Sequence, residues 1–133
     1  MKILITGGAG FIGYHLTSYL LREYGGNAEI VLVDNFQRGR ADNDLKKLLD
    51  DPRVSFLELD LTDHAAYSKL GEGYGHVYHL AAINGTKNFY EIPQEVLRIN
   101  TLSLVYMLEW FKEKNSDGKF CFTSSVILPT FIN

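Results

Sequence analysis

Apolar residues recur along this chain in two alternating rhythms. Five short runs rich in β-branched and aromatic residues, KILIT (2–6), EIVLV (29–33), VSFLEL (54–59), HVYHLA (76–81) and KFCFTS (119–124), read as strands. Longer segments with helical spacing stand between them, giving the order βαβαβαβαβ. The strand runs are apolar at successive positions, so both faces of each strand must be covered. That is the condition of a parallel sheet flanked by helices, and right-handed crossovers then make it a doubly wound α/β sheet of five strands.

The first helical segment starts near Phe11 and is expected to turn Ile12, Leu16, Tyr19 and Leu20 toward the sheet, stopping at Gly25 and Gly26. Tyr14, Tyr19 and Tyr24 recur at steps of five, which keeps no common face, so they read as ordinary packing residues. A second, short helix over 42–50 ends before Pro52, and a weaker third over 63–70 has Asp63 to cap it. The fourth, over 94–114, carries apolar residues around more than one face, among them Leu97, Leu102, Val105, Leu108 and Trp110. Such a stripe is too wide for a helix that meets only a sheet, and implies a second neighbour, either more of the same chain or another subunit. There is no internal repeat, low-complexity tract or linker.

Composition narrows the classes. With 133 residues, 46% apolar and 22% charged, the chain has the balance of one globular domain. A net charge of −3 with scattered Lys and Arg gives no stripe for nucleic acid and no pull toward an anionic membrane. The opening MKILITGGAG is interrupted by glycines too early for a signal peptide or a membrane span. The single cysteine, Cys121, sits in an apolar run and reads as a buried thiol in a reducing compartment such as the cytoplasm. His15, His64, His76 and His79 fall on different elements without ligand spacing, which argues against a metal site; His79, inside a strand, reads as a hydrogen-bonded packing residue.

The chemistry concentrates after the first strand, in ITGGAGFIG. Gly7, Gly10 and Gly13 follow a strand and open a helix: a tight turn at Gly7, an approach free of side chain at Gly10, close packing of helix on strand at Gly13. The amides and positive end of that helix suit a pyrophosphate. The second strand ends in VDN, and Asp34 stands 21 residues after Gly13, where a carboxylate meets the adenosine ribose hydroxyls. It would repel a 2′-phosphate and so favour NAD over NADP, with Arg38 and Arg40 close enough to soften that choice.

These residues resemble the extended short-chain dehydrogenase/reductase group, and within it the NAD-dependent epimerase/dehydratase family that acts on nucleotide sugars. LDLTD, VYHLAA and RIN resemble it too, so that the likeness covers essentially the whole chain. The resemblance implies a Rossmann-type fold with NAD as cofactor. It implies cofactor contacts from Gly7, Gly10, Phe11, Ile12, Gly13, Asp34 and Asn35, and adenine contacts from Asp60 and Leu61. Leu80, Ala81 and Ala82 would let the cofactor pass, Asn100 would stand near the active site, Ser124 beside the cofactor, and Ser125 would bind the substrate as a catalytic hydroxyl.

Two departures stand out. The V-Y-G-like turn of the family is replaced by Leu128, Pro129 and Thr130. The family's catalytic Y-x-x-x-K belongs well beyond Ser125, and Tyr74, Tyr78 and Tyr90 are followed at the fourth place by Tyr78, Ala82 and Gln94. The expectation is therefore an NAD-binding domain over 1–133, lacking the carboxy-terminal part of the family fold, the nucleotide-sugar substrate domain and the catalytic pair, and inactive alone. The alternative is a non-catalytic dinucleotide-binding sensor or partner module. The wide apolar face of the 94–114 helix discriminates in favour of that alternative, since the resemblance implies a homodimer contact through this helix.

Overall fold

The computed structural model describes residues 1–37 and 42–124. Five strands, β1 (Lys2–Thr6), β2 (Glu29–Asp34), β3 (Val54–Glu58), β4 (His76–His79) and β5 (Lys119–Phe122), form one parallel sheet in the order β3-β2-β1-β4-β5. The helices are α1 (Phe11–Tyr24), α2 (Asn43–Leu49), α3 (Thr86–Glu91) and α4 (Pro93–Lys114), with 3-10 turns at Gly25–Asn27 and His64–Lys69. The doubly wound sheet and all five strand runs are as the apolar pattern predicts.

Register shows why the strands had to be apolar throughout. Ile3 pairs with Ile30 and Ile5 with Leu32, and these four join Leu20 of α1 and Leu45 of α2 in the core on one face. Leu4 pairs with both Val31 and Val77, and with Val33 these join Tyr67, Met107 and Trp110 on the other face. Alternate side chains enter opposite cores.

The helices bring corrections. In α1 the buried stripe is Gly13, Thr17 and Leu20; Leu16 is half-buried, while Ile12 and Tyr19, expected against the sheet, are 60% and 49% exposed. The helix lies so close to the glycine loop that its contact stripe takes small residues, and a reading that follows large apolar side chains sets the phase wrongly. Thr17 relieves its own polarity by donating its hydroxyl to Gly13 O at 2.7 Å. The 63–70 segment winds as a 3-10 turn, with the carboxylate of Asp63 accepting from Ala65 N. Asp42 caps α2, accepting from Asp44 N and Leu45 N.

Helix α4 starts at Pro93, where a missing N–H costs nothing. It buries Ser103, Met107 and Trp110 and leaves Leu97 70% exposed, with Val105 and Leu108 also outward. Helix α3, just before it, has no apolar period and was not foreseen. Cys121 is exposed, against expectation. It lies on β5, which among the described residues pairs only with β4; Phe120 turns to the α4 side and meets Phe111 with ring centroids 5.2 Å apart. Its neighbour Cys121 points the opposite way, where this edge of the sheet has no helix among the described residues. None of the described helices is long and apolar enough to cross a membrane.

Candidate functional site

From β1 the chain winds outward through β2 to β3, then crosses back to β4 on the other side of β1. Loops leaving β1 and β4 therefore diverge, and a crevice opens at the carboxyl ends of these strands. One wall is the glycine loop with the start of α1; the other is Leu80, Ala81 and Ala82. Asp34 ends β2 and Asp60 with Leu61 follows β3, so that all three stand at the carboxyl ends of their strands.

The glycines sort by what a side chain would meet. At Gly7, with φ +69°, a Cβ would sit 2.9 Å from Ala81 N; at Gly8 it would be 2.8 Å from Leu32 Cβ; at Gly13, 2.6 Å from Gly7 O. Packing within the chain demands all three. At Gly10 a Cβ would meet, among the described residues, Gly7 O alone, at a tight 3.2 Å. Among the described residues, nothing else fills the space in front of Gly10. Gly10 is also the N-cap of α1 and gives it no side-chain cap, so the first-turn amides face that same space, flanked by the exposed side chains of Phe11 and Ile12. Gly8, missed in the sequence reading, needed knowledge of which strand it touches.

Asp34 is half-buried and held. Its Oδ2 accepts from Ala9 N at 3.1 Å and its Oδ1 from Phe36 N at 2.9 Å, so the carboxylate also fastens the glycine loop. Phe36 takes a positive φ of 55° and stacks on Phe56 at 5.0 Å. Asn35 is exposed and accepts from Gln37 N. Asp60 is exposed, with Oδ1 accepting from Thr62 N at 2.9 Å and Thr62 Oγ1 at 2.8 Å, while Leu61 is buried. A shallow cleft of about 210 Å³ beside Asp60 is lined by Glu58, Asp63, Ala66 and Lys69 among others.

On the opposite wall, Ala81 N donates to Thr6 Oγ1 at 3.1 Å, and Thr6 Oγ1 lies 2.9 Å from His79 Nδ1. With two lone pairs and one hydrogen, Thr6 Oγ1 accepts from Ala81 N and pairs with His79 Nδ1 in the sense that the imidazole tautomer sets. Burial pushes the His79 imidazole down to about 4, so the ring is neutral near pH 7. His79 is thus a hydrogen-bonded packing residue, as expected. Asn100 braces the end of this wall: its Oδ1 accepts from Ile83 N at 2.8 Å and its Nδ2 donates to Ile83 O at 2.9 Å. Both ends of that amide are engaged by backbone. Ser124, after β5, is exposed. Ser125, Arg38, Arg40, Leu128, Pro129 and Thr130 lie outside the described residues.

The model of the NAD dependent epimerase/dehydratase family matches residues 3–128. The chain belongs to that family. It is 32% identical over 125 residues to UDP-glucuronic acid decarboxylase 1 of Danio rerio, covering 94% of this chain and 28% of that protein. It is 34% identical over 131 residues to UDP-glucuronate 4-epimerase 1 of Arabidopsis thaliana, covering 94% and 30%. Among solved structures, the UDP-Glc/GlcNAc 4-epimerase of Campylobacter jejuni superposes with a TM-score of 0.82 at 28% identity, over 94% of this chain and 37% of that one. The UDP-glucose 4-epimerase of Bifidobacterium longum, in complex with NAD+ and UDP, gives 0.78 at 25%, over 95% and 37%. The chain thus spans less than two fifths of these relatives. NAD is the family's cofactor, and the open space before Gly10, beside uncapped helix amides and a fixed carboxylate, fits a dinucleotide.

Proposed function

We propose that this chain is the NAD-binding portion of an enzyme that remodels nucleotide sugars, as an epimerase, decarboxylase or dehydratase does. One observation carries the reading: of the loop glycines that the sequence singled out, Gly7 and Gly13 are closed in by backbone at 2.9 and 2.6 Å, whereas among the described residues a Cβ at Gly10 would meet Gly7 O alone, at 3.2 Å. A glycine that packing within the chain constrains least, in front of uncapped amides, is suited to a pyrophosphate lying against the backbone.

When bound, NAD supplies a carbon that accepts hydride from the sugar and can return it. The chain's residues do the holding. Gly7, Gly10 and Gly13 shape the loop, the amides of Phe11 and Ile12 meet the phosphates, and Asp34 accepts from the ribose hydroxyls, with Asn35 alongside. Asp60 and Leu61 flank the adenine. Leu80, Ala81 and Ala82 form a smooth wall, kept in place by Thr6 and by Asn100. Ser124 stands toward the cofactor, and Ser125 offers a hydroxyl to the substrate. No tyrosine of the chain has a lysine four places on, so proton transfer needs groups from elsewhere, and residues 1–133 alone are expected to bind without turnover.

Calorimetric titration of the chain with NAD and with NADP tests this. NAD should bind, and NADP should bind roughly tenfold more weakly, because its 2′-phosphate meets a carboxylate fixed by two backbone amides. Asp34→Arg should erase or reverse the preference. Absence of heat with both dinucleotides refutes the reading.

A further inference from the structure

Tyr67 lies in the His64–Lys69 turn, 6% exposed, with its ring beside those of His64 and Tyr106 at centroid distances of 6.4 and 6.1 Å. Nothing in its sequence context marks it as more than a core aromatic. Its hydroxyl oxygen stands 3.0 Å from Leu61 O and 3.0 Å from Ser103 O. A phenol carries one hydrogen, here shared between a carbonyl of the loop after β3 and a carbonyl in the middle of α4. Burial, and after it the nearby charge of Asp60, push ionisation of this phenol well above the ordinary tyrosine value, so it stays a donor.

The loop it holds is otherwise closed on itself. Asp60 spends Oδ1 on Thr62 N and Thr62 Oγ1, and Leu59 N returns to Asp34 O at 3.1 Å. The Leu61 side chain anchors the loop in the core, but a buried leucine does not fix rotation about the neighbouring peptide. A hydrogen bond to the Leu61 carbonyl does, and that carbonyl belongs to the residue next to Asp60. The orientation of an exposed acceptor-only carboxylate is thereby tied to the body of α4.

We propose that Tyr67 is a positioning residue: by holding the Leu61 carbonyl against α4 it aims the Asp60 carboxylate at the exocyclic amine of the cofactor's purine, so that the site selects adenine over a 6-oxopurine. The inference rests on the dinucleotide reading above. Its chemistry is simple: a carboxylate accepts from an amino group and repels a carbonyl oxygen, and discrimination of this kind survives only while the acceptor is held in place.

The test compares NAD with nicotinamide hypoxanthine dinucleotide, by calorimetry, in the parent chain and in Tyr67→Phe. Phenylalanine keeps the ring and removes only the hydroxyl. The parent should prefer NAD about tenfold, and Tyr67→Phe should reduce that ratio to about threefold or less. A ratio unchanged in Tyr67→Phe, even with both ligands weakened in parallel, overturns the inference and leaves Tyr67 a stabilising residue only. Equal binding of the two dinucleotides by the parent also overturns it while the cofactor reading stands; binding of neither by the parent defeats the cofactor reading and the inference with it. A ligand-free measurement stands beside these. Amide exchange at Thr62 should quicken in Tyr67→Phe while exchange at Met107 in α4 stays as in the parent, and unchanged exchange at Thr62 overturns the inference.

Discussion

Gly10 and Gly13 occupy equivalent places in the glycine pattern, yet substituting each by alanine should do opposite things. At Gly10 the backbone has φ −83° and ψ 166°, ordinary extended values that alanine adopts without strain. Among the described residues the new methyl would meet one atom, Gly7 O, at 3.2 Å, a tight contact that a shift of a few tenths of an ångström relieves. Stability should change by less than about 1 kcal/mol, with the lower chain entropy of alanine in the unfolded state offsetting the contact. The same methyl occupies the room assigned to the pyrophosphate, and NAD affinity should fall at least about tenfold, or 1.4 kcal/mol. At Gly13 the methyl would be 2.6 Å from Gly7 O and 2.8 Å from Gly8 Cα, both backbone atoms that cannot swing aside. Helix α1 must then lift off the loop, an overpacking cost of roughly 1 to 3 kcal/mol, from which alanine's better helix preference removes about 1. Urea denaturation followed by circular dichroism measures the first quantity and calorimetry with NAD the second. If Gly10→Ala costs as much stability as Gly13→Ala, or binds NAD as tightly as the parent, the assignment of Gly10 to a ligand is wrong.

Three further outcomes are expected. His79 has its ionisation lowered by burial from 6.5 to about 4, so between those pH values the unfolded chain takes up a proton that the folded chain refuses; stability should fall by about 3 kcal/mol as pH drops through that window, and urea titrations of the parent and His79→Gln at pH 7, 5 and 4 should show the variant losing this part of the slope. Asn100→Ala strips both hydrogen bonds from Ile83, and should cost roughly 1 to 3 kcal/mol in urea denaturation while weakening NAD binding through the Ala81–Ala82 wall. Cys121, exposed on β5, should react with a disulfide reagent in the native chain nearly as fast as in urea, and a thiol that reacts only after denaturation would contradict its placement.

Much of this architecture was legible in one dimension. The five strand runs, their parallel arrangement, the glycine loop and the acidic tip of β2 all follow from local composition and spacing, because a strand buried on both faces must be apolar at every position and a loop against a phosphate must shed side chains. What misled was phase and depth. Ile12 and Tyr19 look like the face of a helix, but the close approach enforced by Gly13 gives that face to Gly13 and Thr17. Cys121 looks buried by its neighbours, but burial depends on how many layers cover a strand, and among the described strands β5 is the outermost.

The sequence by itself thus determined the class of fold and the kind of ligand, since periodicity and backbone permissiveness are properties of neighbouring residues. Only the tertiary structure decided which glycine serves the chain and which the ligand, that Asp34 also clasps Ala9, and that the Tyr67 hydroxyl links Leu61 to Ser103. Those facts join residues 25 to 42 positions apart in the cases of Asp34 with Ala9 and of Leu61 with Ser103, and a contact between distant residues is written in no stretch of chain until the sheet has brought them together.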